Sequence, residues 1–167
     1  MVILETERLR LRELKKEDAA FIIELLNTPG WLEFIGERNV KTEEQAIAYM
    51  ENGPVKSYRE NGYGLWLVER KKDLLPIGIC GIINRPLLDN PDIGFAFLPD
   101  QMGMGYAYEI AKATLDFANQ KLKIPVISAI TVAKNTRSIR LIEKLGLTFT
   151  REFSFPESQE LLSLYSQ

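Results

Sequence analysis

Histidine is absent from this chain of 167 residues. That excludes Ser-His-Asp and Cys-His catalysis and histidine metal sites. Any acid–base chemistry falls to carboxylates, Tyr, Lys, Cys, Ser or water. There is one cysteine, Cys80. It cannot form an internal disulfide, which suits a reducing cytoplasm. Its place inside the apolar run 77–83 predicts a packing residue rather than a nucleophile. An excess of either charge is also lacking: 21 Lys and Arg against 23 Asp and Glu leave a net charge of −2. No bulk positive field therefore points to nucleic acid or an anionic membrane. No apolar run reaches membrane-spanning length, and the first twelve residues alternate apolar and charged side chains without a signal-peptide core. Repeats, linkers and low-complexity segments are missing as well. What remains, 46% hydrophobic and 26% charged residues, predicts one soluble, cytoplasmic globular domain over 1–167, with a hydrophobic core of its own.

Apolar periodicity divides the chain into alternating elements. Ile3, Leu9 and Leu11 between Arg8, Arg10 and Arg12 predict a half-buried first strand. Residues 18–27 carry Ala19, Ile22, Ile23, Leu25 and Leu26 at helical spacing, with Pro29-Gly30 as the stop. Thr42 and Gln45 form a capping box that opens a helix to about Met50, and Gly53-Pro54 breaks it or starts another. Runs 64–69 and 76–83 predict a hairpin. Run 93–98 is apolar enough to predict burial on both faces. A helix follows from Tyr108, with Ile110, Thr114, Phe117 and Ala118 on one face, and Pro125 prevents its continuation. A strand over 126–132, a helix over 135–145 stopped by Gly146, and strands over 147–153 and 159–165 close the chain. The expected class is α+β, with a central, mostly antiparallel sheet of about seven strands and about four helices.

The most informative stretch is Met102-Gly103-Met104-Gly105-Tyr106-Ala107, between the 93–98 strand and the helix after it. Strand, glycine turn and helix make an anion cradle: glycines let N–H groups approach closely, and a helix start adds unpaired donors and the positive end of its dipole. Nucleotide fingerprints fail here. Tyr108 stands where a third Rossmann glycine belongs, and no Gly-Lys-Ser/Thr follows for a Walker loop. A tight loop without a ligand is the plain reading of a lone Gly-x-Gly.

In context the turn resembles that of the GNAT N-acetyltransferase superfamily, closest to its ribosomal-protein (Rim-type) branch. The family pattern is a strand ending near a proline, an Arg/Gln-x-x-Gly-x-Gly/Ala turn and a long helix. Gly105 and Ala107 fill its last two positions, and Met102 departs from the Arg or Gln at its first. Asn135-Thr136-Arg137-Ser138 with Glu143-Lys144-Leu145-Gly146-Leu147 resembles a second Rim-type motif, with Leu147 in place of Phe. Thr6-Glu7-Arg8-Leu9 begins a third. Three motifs in the family's order extend the resemblance over most of the chain.

The resemblance implies a cleft where the fourth strand splays from the fifth, holding acetyl-CoA as cosubstrate without a metal. Backbone groups around Phe95, Phe97 and Leu98 are implied to pair with the pantetheine arm. The N–H groups of Met102, Gly103, Met104, Gly105, Tyr106 and Ala107 are implied to take the pyrophosphate. Asn135 would reach the coenzyme from the other side, or simply cap its helix. Asp92 begins the fourth strand and is the candidate base or water-positioning group; its alternative is a solvated turn residue after Asn90-Pro91. A free aspartate is a poor base, so that role needs burial or a water relay. Many relatives carry a Tyr on the last helix to protonate the leaving thiolate. That position is Ile142 here, and Ser138 is the substitute. Trp31, Phe34, Glu37 and Arg38 are the acceptor-wall candidates, with Trp31 and Phe34 equally readable as core. Glu37 suits a cationic amine, Arg38 a carboxylate or phosphate.

The expected partners are acetyl-CoA and an amine acceptor, a protein N-terminus or a small molecule, with no nucleic acid or membrane and the chain a monomer or homodimer. Ile142 and Met102 keep open a second class, a non-catalytic acyl-CoA-binding module.

Overall fold

A computed structural model describes residues 1–167. The N-terminal alternation folds as two strands rather than one. β1 (Val2–Glu5) and β2 (Leu9–Arg12) form an antiparallel hairpin. Thr6 reverses the chain between them: its N–H donates to Leu9 C=O at 2.9 Å, and its hydroxyl accepts from Leu9 N–H at 3.2 Å. An eighth strand results.

Next come α1 (Ala19–Leu26) and α2 (Pro29–Phe34). Pro29 therefore opens a helix instead of ending one. Thr28 accepts from Trp31 N–H at 3.3 Å as the cap, and a proline suits the first helical position, where no N–H is needed. The capping box forms as expected at α3 (Glu43–Asn52), with Gln45 N–H to Thr42 Oγ1 at 3.2 Å and Thr42 N–H to Gln45 Oε1 at 3.0 Å. Pro54 then starts α4 (Pro54–Asn61). The remaining elements are β3 (Leu65–Arg70), β4 (Pro76–Ile83), β5 (Asp92–Phe97), α5 (Tyr106–Gln120), β6 (Ser128–Val132), α6 (Thr136–Lys144), β7 (Thr148–Phe153) and β8 (Leu162–Ser166). Gly146, at φ +94°, closes α6 by donating to Glu143 C=O at 2.9 Å, while Leu147 N–H reaches Ile142 C=O at 3.3 Å.

All eight strands lie in one sheet, in the order β1-β2-β3-β4-β5-β6-β8-β7. Every neighbouring pair is antiparallel except β5 and β6. The period-2 alternation of β3 separates two cores. Trp66 and Val68 face α5 with Ile77, Cys80 and Ile110. Leu67 faces the opposite layer, with Ile22, Leu25, Met50 and Ile79. Cys80 is fully buried, 3.5 Å from Thr114 Oγ1, and burial pushes its thiol up to about 12. No helix is long and apolar enough to cross a membrane.

An ion-pair network ties β2 to β3 and to the first helical turn. Arg12 grips Asp18 with both terminal nitrogens, at 2.9 and 2.8 Å, and its Nε donates to Glu69 Oε2 at 3.1 Å. Arg10 Nε donates to Glu69 Oε1 at 2.7 Å. Glu69 is 3% exposed and Asp18 5%, so removing one partner strands charge where water does not reach it. Glu69→Ala is expected to lower unfolding stability by about 3 kcal/mol in urea titration. Cys80 is expected to resist thiol reagents at neutral pH in the native protein and to react fully once unfolded, because reactivity follows the thiolate.

Candidate active site

β5 runs beside β4 through six paired residues, from Ile83↔Asp92 to Gly78↔Phe97. Its parallel contact with β6 is a single pair, Asp92↔Ser128. Past that pair the strands diverge. Gly94, Phe95 and Ala96 are consequently half-buried, although the run 93–98 predicts burial on both faces. Leu98 N–H points to β4 and donates to Ile77 C=O at 2.9 Å. By strand alternation the backbone groups of Phe95 and Phe97 point the other way, toward the gap. Leu98 thus has no free N–H for a ligand, while Phe95 and Phe97 keep theirs on the open side. The Phe97 and Leu98 side chains are buried, in the α5 core and the opposite core respectively.

The glycine turn follows directly. Gly103 and Gly105 take φ of +83° and +80°, a region L side chains rarely enter. Met102 N–H is taken up by Pro99 C=O at 3.3 Å. No backbone acceptor takes the N–H of Gly103, Met104, Gly105, Tyr106 or Ala107, and the first helical bond is Glu109 N–H to Gly105 C=O at 3.1 Å. These donors lie at the start of a fifteen-residue helix, at its positive end. Met102 and Met104 are 40% and 42% exposed on either side of Gly103.

Arg8, from the turn before β2, braces this segment. Its Nε donates to Glu109 Oε2 at 2.7 Å, its terminal nitrogen to Met104 C=O at 2.9 Å, and its guanidinium lies 4.5 Å from the Tyr106 ring centre. Glu109 also accepts from Thr6 Oγ1 at 2.7 Å and Arg8 N–H at 2.9 Å. In a trans peptide the Gly105 N–H points opposite to the Met104 carbonyl. Arg8 therefore fixes the direction of that donor as well as adding positive charge beside it.

Asp92 stands where β5 and β6 part, and it is 1% exposed rather than a solvated turn residue. Its Oδ1 accepts from Arg85 Nε at 2.9 Å. Burial raises its pKa above the ordinary carboxylate value; the Arg85 charge and hydrogen bond only partly oppose that. Strand alternation turns Asp92 away from the face that Ile93, Phe95 and Phe97 present to α5, so it lies on the α1–α4 side. Tyr49, half-buried on α3, is on that side too: burial raises its phenol pKa, and the charges of Arg38 and Arg85 act against the rise.

The wall candidates separate. Trp31 is 6% exposed in the α1–α4 core, yet its Nε1 has no hydrogen-bond partner. Phe34 is half-buried, with Lys134 Nζ, from the loop after β6, 5.9 Å from its ring centre. Glu37 accepts from Asn39 N–H at 2.8 Å and lies 3.5 Å from Lys41 Nζ, which lowers its pKa. Arg38 is exposed and makes no ion pair. At α6, Asn135 Oδ1 accepts from Ser138 N–H at 3.3 Å, the cap geometry; Ser138 is half-buried and Ile142 is in the α5 core.

The sheet sets Asp92 where β5 and β6 meet, the glycine turn beyond the other end of β5, and Asn135 just past the end of β6. Arg85 and Tyr49 are absent from the sequence-level candidates. Arg85 sits in a proline-containing loop with no periodicity to mark it. Tyr49 falls on the Ala46–Tyr49–Met50 stripe of α3, where a tyrosine among apolar residues is the available signal.

Residues 8–148 match the family model of the acetyltransferase (GNAT) domain. The uncharacterized protein YkkB of Bacillus subtilis is 30% identical over 153 residues, covering 89% of this chain and 86% of its own. The uncharacterized N-acetyltransferase YoaA of the same organism is 28% identical over 147 residues, 86% of this chain and 81% of its own. In fold, the chain superposes on RimL, the ribosomal L7/L12 α-N-protein acetyltransferase solved with coenzyme A, with a TM-score of 0.84 at 15% identity, over 100% of this chain and 97% of that one. The domain match takes in the braced glycine turn, the diverging strands and Asp92, and the chain belongs to the GNAT acetyltransferase family.

Proposed function

We propose that the protein transfers the acetyl group of acetyl-CoA to a primary amine, directly, within a ternary complex and without a covalent enzyme intermediate. One observation carries this reading. A single bridge opens the sheet between β5 and β6, and a row of free N–H donors and a buried carboxylate both adjoin that opening. The gap-facing backbone of Phe95 and Phe97 suits an extended amide-bearing arm, and the N–H groups of Gly103 to Ala107 suit its pyrophosphate. Leu98 and Met102, whose N–H groups are engaged, contribute packing rather than donors. Asn135 caps α6 with its carbonyl oxygen and keeps its amide nitrogen for the coenzyme.

An amine attacks only when uncharged. An α-ammonium, with a reference pKa of about 8, loses its proton more readily than a lysine at about 10.4. Asp92 accepts that proton, directly or through a water, and its raised pKa makes it a stronger base than a solvated aspartate. The amine nitrogen then bonds to the thioester carbonyl carbon. A β5 N–H near Phe97 holds the oxyanion. The C–S bond breaks as the attacking nitrogen gives up its remaining extra proton, which passes through Ser138 or solvent to the departing thiolate. The N-terminus of a protein is the acceptor class that the Rim resemblance favours, and a small amine is the other. The buried Ile142, where many relatives carry Tyr, keeps a non-catalytic acyl-CoA-binding module as the alternative.

Thiol release from acetyl-CoA across a panel of amines tests the assignment; tight coenzyme binding with no release for any amine selects the alternative. Asp92→Asn is expected to lower kcat by about a hundredfold or more with the KM for acetyl-CoA nearly unchanged. In the wild type, kcat/KM falls by one further proton below the raised Asp92 pKa, above the usual value of about 4. The asparagine variant keeps only the limb of the amine. Gly105→Ala forces a side chain into positive φ beside Arg8. It is expected to raise the KM for acetyl-CoA about tenfold and leave that for acetyl-pantetheine, which lacks the pyrophosphate, unchanged.

A further inference from the structure

Glu37 and Arg38 are adjacent in sequence and opposite in the acceptor each would suit. The fold treats them differently. Asn39, at φ +55°, turns the chain so that its N–H meets the Glu37 carboxylate at 2.8 Å, and Lys41 stands 3.5 Å from the same oxygen. Glu37 is thereby neutralised within its own turn. Arg38 has no carboxylate partner, and its terminal nitrogen lies 3.4 Å from where a side chain at Gly36 would begin, folded back along the link from α2.

Two more cations on this side keep unused donors. Arg85 reaches Asp92 through Nε alone, so its terminal nitrogens carry no hydrogen bond. Lys134 rests on the Phe34 ring and pairs with no acid. Arg85 is tied to Asp92, Arg38 lies folded over Gly36 just past α2, and Lys134 overlies the Phe34 ring of that helix; the charges of Arg38 and Arg85 both bear on the Tyr49 phenol of α3. Of the nearby acids, only Asp92 pairs with one of them, Arg85. On α2, Glu33 lies two residues from the buried Trp31, about 200° around the helix, and so points away from the Trp31–Phe34 face. Asp89 lines a hollow with Ser128, Arg151 and Ser166, which has a cation of its own in Arg151. Asp92 is buried and takes only the Nε of Arg85, so that guanidinium keeps its terminal nitrogens for a second anion.

On the reading of the cleft as an acetyl-transfer site, we infer that the acceptor approaches through a cationic mouth formed by Arg38, Arg85 and Lys134, and that it is an amine carrying an anionic group. A guanidinium fork matches carboxylate and phosphate alike. Free amino acids, peptides with an acidic first residue and amino phosphates share that chemistry. A polyamine would meet like charge at the mouth and lose both encounter rate and affinity.

Matched acceptors test this by thiol release: aspartate, the dipeptide Asp-Ala, phosphoethanolamine, the neutral alaninamide and ethanolamine, and spermidine. Anionic acceptors are expected to exceed their neutral matches about tenfold in kcat/KM, the effect of one charged hydrogen bond. Arg38→Glu is expected to reverse the order, and added salt to erode it. Arg38 is exposed, so that exchange leaves the cores intact. Which anionic acceptor leads distinguishes the sources. Equal or greater activity on neutral amines or spermidine overturns the inference while leaving the transfer reaction standing. If no amine releases thiol, transfer itself fails and binding decides the mouth. Calorimetry on coenzyme-loaded protein then compares N-acetylaspartate with N-acetylalaninamide. Preferential binding of the first, lost in Arg38→Glu, upholds the cationic mouth; equal or absent binding overturns it.

Discussion

A parallel pair of strands joined at one residue pair is the constraint on which this structure turns. β5 and β6 meet at Asp92 and Ser128 and then separate. Inside a sheet, each backbone N–H and C=O needs a partner. Divergence removes the partners along one side of β5 while β4 holds the other side through six residue pairs. The open side is therefore a preformed edge in the middle of the sheet, with backbone groups left without a strand partner. The bridge also sets the depth of Asp92, whose burial and raised pKa follow from standing where the strands part.

The charges around that edge are placed by long-range contacts. Arg8 connects the N-terminal hairpin to Glu109 and to the Met104 carbonyl, about a hundred residues away in sequence. It holds the glycine turn by a backbone contact from outside, at a site where the turn's own first residue, Met102, has no charge or amide to contribute. The Arg10–Glu69–Arg12–Asp18 network does similar work for the opposite layer, fixing β2 and β3 against the helical segment that begins α1. One hairpin thus braces both the glycine turn and the start of α1.

Much of this was legible from local patterns. The Thr42–Gln45 box, the Gly146 stop, the β3–β4 hairpin and the Gly103–Gly105 turn depend on interactions a few residues apart, and each forms where its pattern lies. Expectations failed where a single side-chain contact, or the path of a neighbouring strand, outweighed the apolar pattern. The first strand became two because Thr6 bonds across to Leu9. Pro29 started a helix because Thr28 was free to cap it. The run 93–98 has the composition of a strand buried on both sides, yet its middle is half-buried, because composition carries no information on whether a neighbouring strand stays or leaves.

The sequence by itself determined most of the elements, the chemistry available without histidine, and the glycine turn ahead of α5, since these follow from side-chain type and short spacing. Only the tertiary structure decided that β5 loses its neighbour after one pair, that Asp92 is buried beside Arg85, that Arg8 holds Met104, and that Glu37 is neutralised while Arg38 is not. Those outcomes depend on distances between residues far apart in the chain, and on the exclusion of water by packing, which no local pattern encodes.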